Sequence, residues 1–227
     1  MSPAGFWRRE AAWTLDAALV ALPTLALTLP GTMAAGARAG VALDALTGQL
    51  AQRLMEGVAS GDPPVLLALA WLQAPGMRVA MADLDSAAWA AVLPPLAVFA
   101  ALWLVWSLAF ECSSWQATPG KRALGLQVVD SHGRPLRPGR SLLRHLCGTL
   151  SWLTLNIGHG LAALPPAHRT LHDIASATRV ECTAAPGPLP AWARAWVALQ
   201  FAGLLAAHAW LLASLQARLL ETIGAVA

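Results

Sequence analysis

A carboxylate stands inside an apolar run: Asp16, within residues 11–29, with Arg9 seven positions before it. Seven residues are two helical turns, so the two side chains lie close to one face of a helix. In lipid a carboxylate costs several kcal/mol unless it is paired, hydrated or protonated. Asp16 is therefore expected to point into a bundle, toward Arg144, His145, His172 or the region of Asp173. Two chemistries fit such a group. It binds a proton or cation reversibly, or it forms a fixed ion pair that sets helix register.

A second candidate is "TPGKRALGLQVVD", residues 118–130. A nucleotide-binding loop needs G-x-x-x-x-G-K-[ST], but Trp115 stands where its first Gly belongs and Arg122 where Ser or Thr belongs. With no phosphate to hold, replacing Lys121 by Met is expected to be mild. The stretch reads instead as a turn built from Thr118, Pro119, Gly120, Lys121 and Gly125, running into a strand at 126–130. Gly120 is taken as the residue that the turn needs for its backbone freedom. "TRVEC", residues 178–182, is a matching strand. The two are expected to pair as a small clasp at the membrane surface.

Weaker candidates follow. His168 and His172 are four apart, yet no acid occupies the general-base position of a zinc-protease helix, so they are read as interfacial and no metal is expected. Glu111 ends the second apolar run and is read as facing cytoplasm; it and His172 are kept as secondary candidates. His208 is expected to be packed or beside lipid. No GxSxG, Ser-His-Asp or paired-carboxylate pattern occurs, so neither enzymatic activity nor a cofactor is expected. Cys112, Cys147 and Cys182 form no CxxC and indicate no disulfide framework.

The elements that must position these residues are apolar. Of 227 residues, 57% are hydrophobic and 12% charged, half the usual charged share of roughly 25%. The mean hydropathy is +0.55. So few charges cannot cover a soluble surface, and the partner expected is the bilayer. Eleven Trp and no Tyr fit interfacial anchoring beside the apolar runs. Residues 11–29, 87–110 and 195–215 are each long enough to cross a core of ~30 Å. A cleavable signal peptide is the rival reading of the first run, and Asp16 argues against it. Between the first two, 31–86 holds an amphipathic helix around Leu43, Leu46, Leu50, Leu54 and Val58, ended by "GDPP".

The remaining run, 142–164, is broken by "NIGHG" at 156–160. A full crossing would leave Arg169, Arg179 and Arg194 outside. A re-entrant segment keeps eleven of the fifteen basic residues on one side, which the positive-inside rule assigns to the cytoplasm together with the N-terminus. The acidic segment 31–86 is then external. The fold expected is an all-α polytopic membrane protein with three full spans, a re-entrant or broken third hydrophobic segment, and a cytoplasmic two-strand clasp.

Three ordered stretches carry a family resemblance. "RREAAWTLD" holds Arg9 and Asp16; "TPGKRALGLQVVD" is followed by a basic turn and Arg144; "TLHDIASATRV", residues 170–180, holds Asp173. Together they resemble the signatures of the RDD family of small bacterial membrane proteins, named for an Arg and two Asp. The resemblance implies an RDD-like membrane domain over 1–182, including the insert 31–86. A linker and an additional C-terminal span make up 183–227. It also implies the bacterial inner membrane, and it points to Arg9, Asp16, Asp173 and Arg144 as intramembrane polar or ion-coupling residues. For the family, sodium–proton exchange has been proposed, which implies a small ion- or proton-coupled transporter centred on Asp16. The alternative is a non-transporting scaffold that recruits a partner through the clasp or the acidic external loop. Four apolar segments enclose little pathway alone. Gly/Ala-rich faces such as 201–209 allow close packing with a second copy or another membrane protein. Nothing points to nucleic acid.

Overall fold

In lipid, backbone amides must be satisfied within the segment, and a long apolar run can do so only as a helix. The computed structural model describes residues 2–61, 63–153, 157–166, 168–183 and 187–226. Three of its helices contain stretches long and apolar enough to cross a membrane: α1 (Phe6–Ser60), α3 (Pro75–Glu111) and α8 (Ala191–Val226). Each outruns the span read from the sequence. α1 continues through Pro23 and Pro30 into what was expected to be a separate amphipathic helix. Ala and Leu, strong helix formers, supply twelve of residues 31–60 and carry it on past five Gly. Gly61, in the left-handed region at φ +72°, ends it. α2 (Pro64–Gln73) has ten residues, about 15 Å of helix, and is too short to span.

The chain divides into two units. Unit 2 is 25–97 with 201–227. Its buried positions are mostly small, among them Ala35, Ala42 and Ala80, and Arg218 reaches Asp44 at 2.6 Å.

Unit 1, residues 1–24 with 98–200, contains all of the residues whose chemistry the sequence suggests except His208. After α3 come a short helix α4 (Pro119–Ala123), strand β2 (Leu126–Asp130) and helix α5 (Pro138–Leu153). Next are the four-residue α6 (Ile157–Gly160), a 3-10 turn at Leu161–Ala163, α7 (Leu171–Ala175) and β3 (Thr178–Cys182). β2 and β3 form with the expected bounds and pair antiparallel, Leu126 opposite Cys182 and Asp130 opposite Thr178. The clasp has a third member that the sequence reading lacked. β1 (Ser2–Pro3) adds antiparallel to the other edge of β3. The core beneath gathers Leu126, Val128 and Val180 from the sheet, Ala11 and Ala12 from α1, and Ala193 from α8.

The broken third run takes shape as α5 followed by the α6 turn. α5 has sixteen residues, roughly 24 Å of helix, short of a full crossing. Asn156 of the expected break lies outside the described residues. Gly158 lies where α6 closes on its neighbours. A Cβ there would overlap the Ser151 hydroxyl and stand 3.0 Å from the Leu171 Cβ. α5 also inverts the order of a water-facing helix. Ser141, Arg144 and Ser151 are buried, while Leu143 and Leu146 are 46% and 54% exposed.

Candidate functional site

The polar stripe of α5, Ser141, Arg144, His145 and Ser151, recurs at helical spacing and turns toward the interior of unit 1. Arg144 is its hub. Its Nη1 donates to Asp173 Oδ1, and to Thr178 Oγ1 at 2.9 Å. Arg9, from the first turn of α1, donates to the other oxygen, Asp173 Oδ2, at 2.6 Å. Asp173 also caps its own helix. Its Oδ2 accepts from the Thr170 amide at 3.1 Å, and the Thr170 hydroxyl accepts from the Asp173 amide at 3.3 Å. Burial pushes the Asp173 carboxyl upward, but Arg144 and Arg9 outweigh it and hold the group well below the usual carboxylate range.

Glu111 joins the network from the end of α3. It was read as facing cytoplasm, and the structure corrects this: the side chain is fully buried. Its Oε1 accepts from Lys121 Nζ at 2.9 Å and its Oε2 from Ser141 Oγ at 3.0 Å. His145 Nε2 lies 3.2 Å and Arg144 Nε 3.9 Å from Oε2. The expectation for Lys121 changes with it. Lys121 partners a buried carboxylate, so its replacement by Met is now expected to destabilise the fold.

Asp16 stands apart, contrary to the expectation that it faces Arg144, His145, His172 or Asp173. Both of its oxygens are taken by the "TPG" turn and by α3. The Thr118 hydroxyl donates to Oδ2. The Gly120 amide donates to Oδ1 at 2.8 Å and Trp106 Nε1 at 3.3 Å. Asp16 thus caps α4 from another helix, using a free amide of its first turn. The motif follows from this geometry. Thr118 is extended (φ −66°, ψ 159°), and Pro119 fills the first helical position, where an amide would have no partner. Gly120 is needed for close approach, not for a special backbone angle: a Cβ would overlap the Ala12 carbonyl and stand 2.9 Å from the Asp16 carboxylate. The conformational freedom belongs to Gly125, at φ +63°.

Arg9, Asp16 and Asp173 are now placed along with the turn that reads Asp16. A model of the RDD family matches residues 3–177. The chain belongs to the RDD family. This is a membrane protein family, in keeping with the three apolar helices. No curated protein and no solved structure matches the chain.

Within this RDD chain the Arg and the second Asp of the signature are partners, and the first Asp serves a different element. Arg9 and Arg144 stand against Asp173 and Lys121 against Glu111, while Asp16 is met only by hydroxyl, amide and indole donors among the described residues. His168 and His172 do not share a helical face, because α7 begins only at Leu171. His168 Nδ1 instead lies 2.9 Å from the Ala162 carbonyl. The His172 ring lies against that of His159, centroids 5.1 Å apart. Burial, and after it Arg144, pushes the His172 pKa down to about 2. His208 is exposed, with Nδ1 2.8 Å from the Leu204 carbonyl of its own helix. Glu111, Thr178, Ser141 and Trp106 were missed as partners. The polar stripe of α5 is the signal that could have found the buried side of that helix.

Proposed function

We propose that this RDD protein is a non-transporting membrane module whose charge network fixes a small sheet at the cytoplasmic face as a platform for a partner protein. The observation that carries this reading is how Asp16 is held: both carboxylate oxygens accept from donors supplied by the chain itself, so its burial is accounted for without a bound cation. Arg9, Arg144, Asp173, Glu111 and Lys121 are likewise spent on one another, which suits a latch between α1, α3, α5 and α7. The reading places the N-terminus and the sheet in the cytoplasm of a bacterium with the protein in its inner membrane. The basic residues of 118–140 support that side. It takes 142–164 as re-entrant, 1–182 as the membrane domain and 183–227 as linker plus an added span. It assigns no catalysis, since the carboxylates pair with cations and amides instead of with each other.

The test is flux through the full chain in proteoliposomes under an imposed proton or sodium gradient. Flux no higher than in protein-free vesicles, with Asp16→Asn lowering the melting temperature, is expected. Gradient-driven flux that disappears in a stable Asp16→Asn variant would overturn the reading. That outcome would establish a proton- or cation-coupled transporter instead. One observation favours that second reading: among the described residues no basic side chain pairs with Asp16, so only dipoles balance its charge.

A further inference from the structure

The turn between β2 and α5 carries more positive charge than it neutralises. Asp130 accepts from the His132 and Arg134 amides at 2.8 and 2.9 Å, and from Arg134 Nε at 3.0 Å. Its Oδ2 also lies 3.4 Å from Arg140 Nη1. The amide of Arg134 above all, with that of His132 and the Arg134 guanidinium, holds Asp130 down at about 2. One carboxylate thus serves two guanidiniums. Arg137 forms no ion pair among the described residues and is exposed. The segment 130–140 holds three Arg and one Asp, an excess of two positive charges on a turn whose backbone is already pinned by Asp130 and by Gly133 at φ +77°.

What lies next along the chain says what this charge meets. Arg140 is in the first turn of α5, and Leu143 follows three residues later, so the two neighbour each other on the helix surface. Leu143 and Leu146 form an apolar face turned away from the protein, while Ser141, Arg144 and Ser151 of the same helix turn inward. An apolar strip beginning one turn from a guanidinium cluster matches the boundary between acyl chains and headgroups. We propose that the 130–140 turn and the outer face of α5 form a docking surface for anionic phospholipid. The leucines sit among acyl chains, while Arg137 and Arg140 hold headgroup phosphates. Arg134 stays on Asp130 as the strut of the turn. Lipid is favoured over a soluble anion because the cationic cluster is continuous with an exposed apolar face.

The full chain is reconstituted in nanodiscs of phosphatidylcholine with a minor share of phosphatidylglycerol, and spin-labelled analogues of each report which lipid occupies the protein's first shell. The variant Arg137→Gln/Arg140→Gln removes two of the three guanidiniums and leaves Asp130 paired with Arg134. A charge-matched control, Arg38→Gln/Arg78→Gln, alters the segment 31–86. The wild type is expected to select phosphatidylglycerol over phosphatidylcholine. The first variant is expected to lose that selectivity about tenfold at low salt, and the control to keep it. Equal selectivity in the first variant, or an equal loss in the control, would overturn the proposal. So would displacement of labelled phosphatidylglycerol by millimolar inorganic phosphate, since the site would then be for free phosphate. A misfolded first variant is recognised by its melting temperature. Arg137→Gln alone, which breaks no ion pair, then carries the test with the same two outcomes.

Discussion

Glu111 and Lys121 show what a buried charge demands of its neighbours. Lys121→Met leaves Glu111 with one cation and one hydrogen-bond donor fewer and should cost about 2 kcal/mol. Adding Glu111→Gln should recover part of the loss. Melting temperatures of the two single variants and the double in detergent check both points. At Gly120 the methyl of an alanine has no space against the Ala12 carbonyl. Gly120→Ala should therefore already abolish accumulation in the membrane, with no need of a bulkier side chain, as an immunoblot of membrane fractions would show. His172 gives a pH dependence of defined sign. Its folded pKa lies below the unfolded value of about 6.5. The neutral form therefore stabilises the fold fully above that value, and the stabilisation fades as pH falls toward about 2. At pH 5 the loss is about 2 kcal/mol. Melting should drop between pH 7.5 and 5, and His172→Asn should flatten that drop.

The strands and spans were legible because their signals are local. Leu126–Asp130 and Thr178–Cys182 are β-branched and apolar stretches between turn residues, and the pairing follows from their lengths. The end of α1 and the start of α3 were not legible. An apolar run marks where lipid contact lies, whereas helix propensity decides where the helix stops, and the two part company after residue 29. Partners were the least legible of all. Arg9 sits near Asp16 in sequence, yet its carboxylate comes from 164 residues away, and no spacing rule reaches that far. Topology remains an element-scale test. With the three native cysteines replaced, a cysteine at Ser131 should react only from the cytoplasmic side and one at Gly61 only from outside. Reaction of position 131 from outside would reverse the assigned orientation.

At the scale of the whole molecule, the contacts of α1 run against the order in which a ribosome delivers them. Thr118 comes 102 residues after Asp16, Asp173 164 residues after Arg9, and Cys182, which β1 needs for its ladder, closer to the end still. At roughly 5–20 residues per second, the first helix waits on the order of ten to thirty seconds for Asp173. During that interval Arg9 and Asp16 can be sheltered only by water, by headgroups or by whatever escorts a nascent helix into the bilayer. Biogenesis is thus expected to run in two stages, with early insertion of an unlatched helix and late closure from the C-terminal side. Chains stalled at residue 165 should carry an inserted but unlatched first helix and be cleared quickly by membrane proteases. Chains stalled a few dozen residues beyond 182, with the strands clear of the ribosome exit, should survive. A pulse-chase series of stalled lengths would locate the step, and survival rising gradually with length, without a jump past 182, would show that closure does not depend on the sheet.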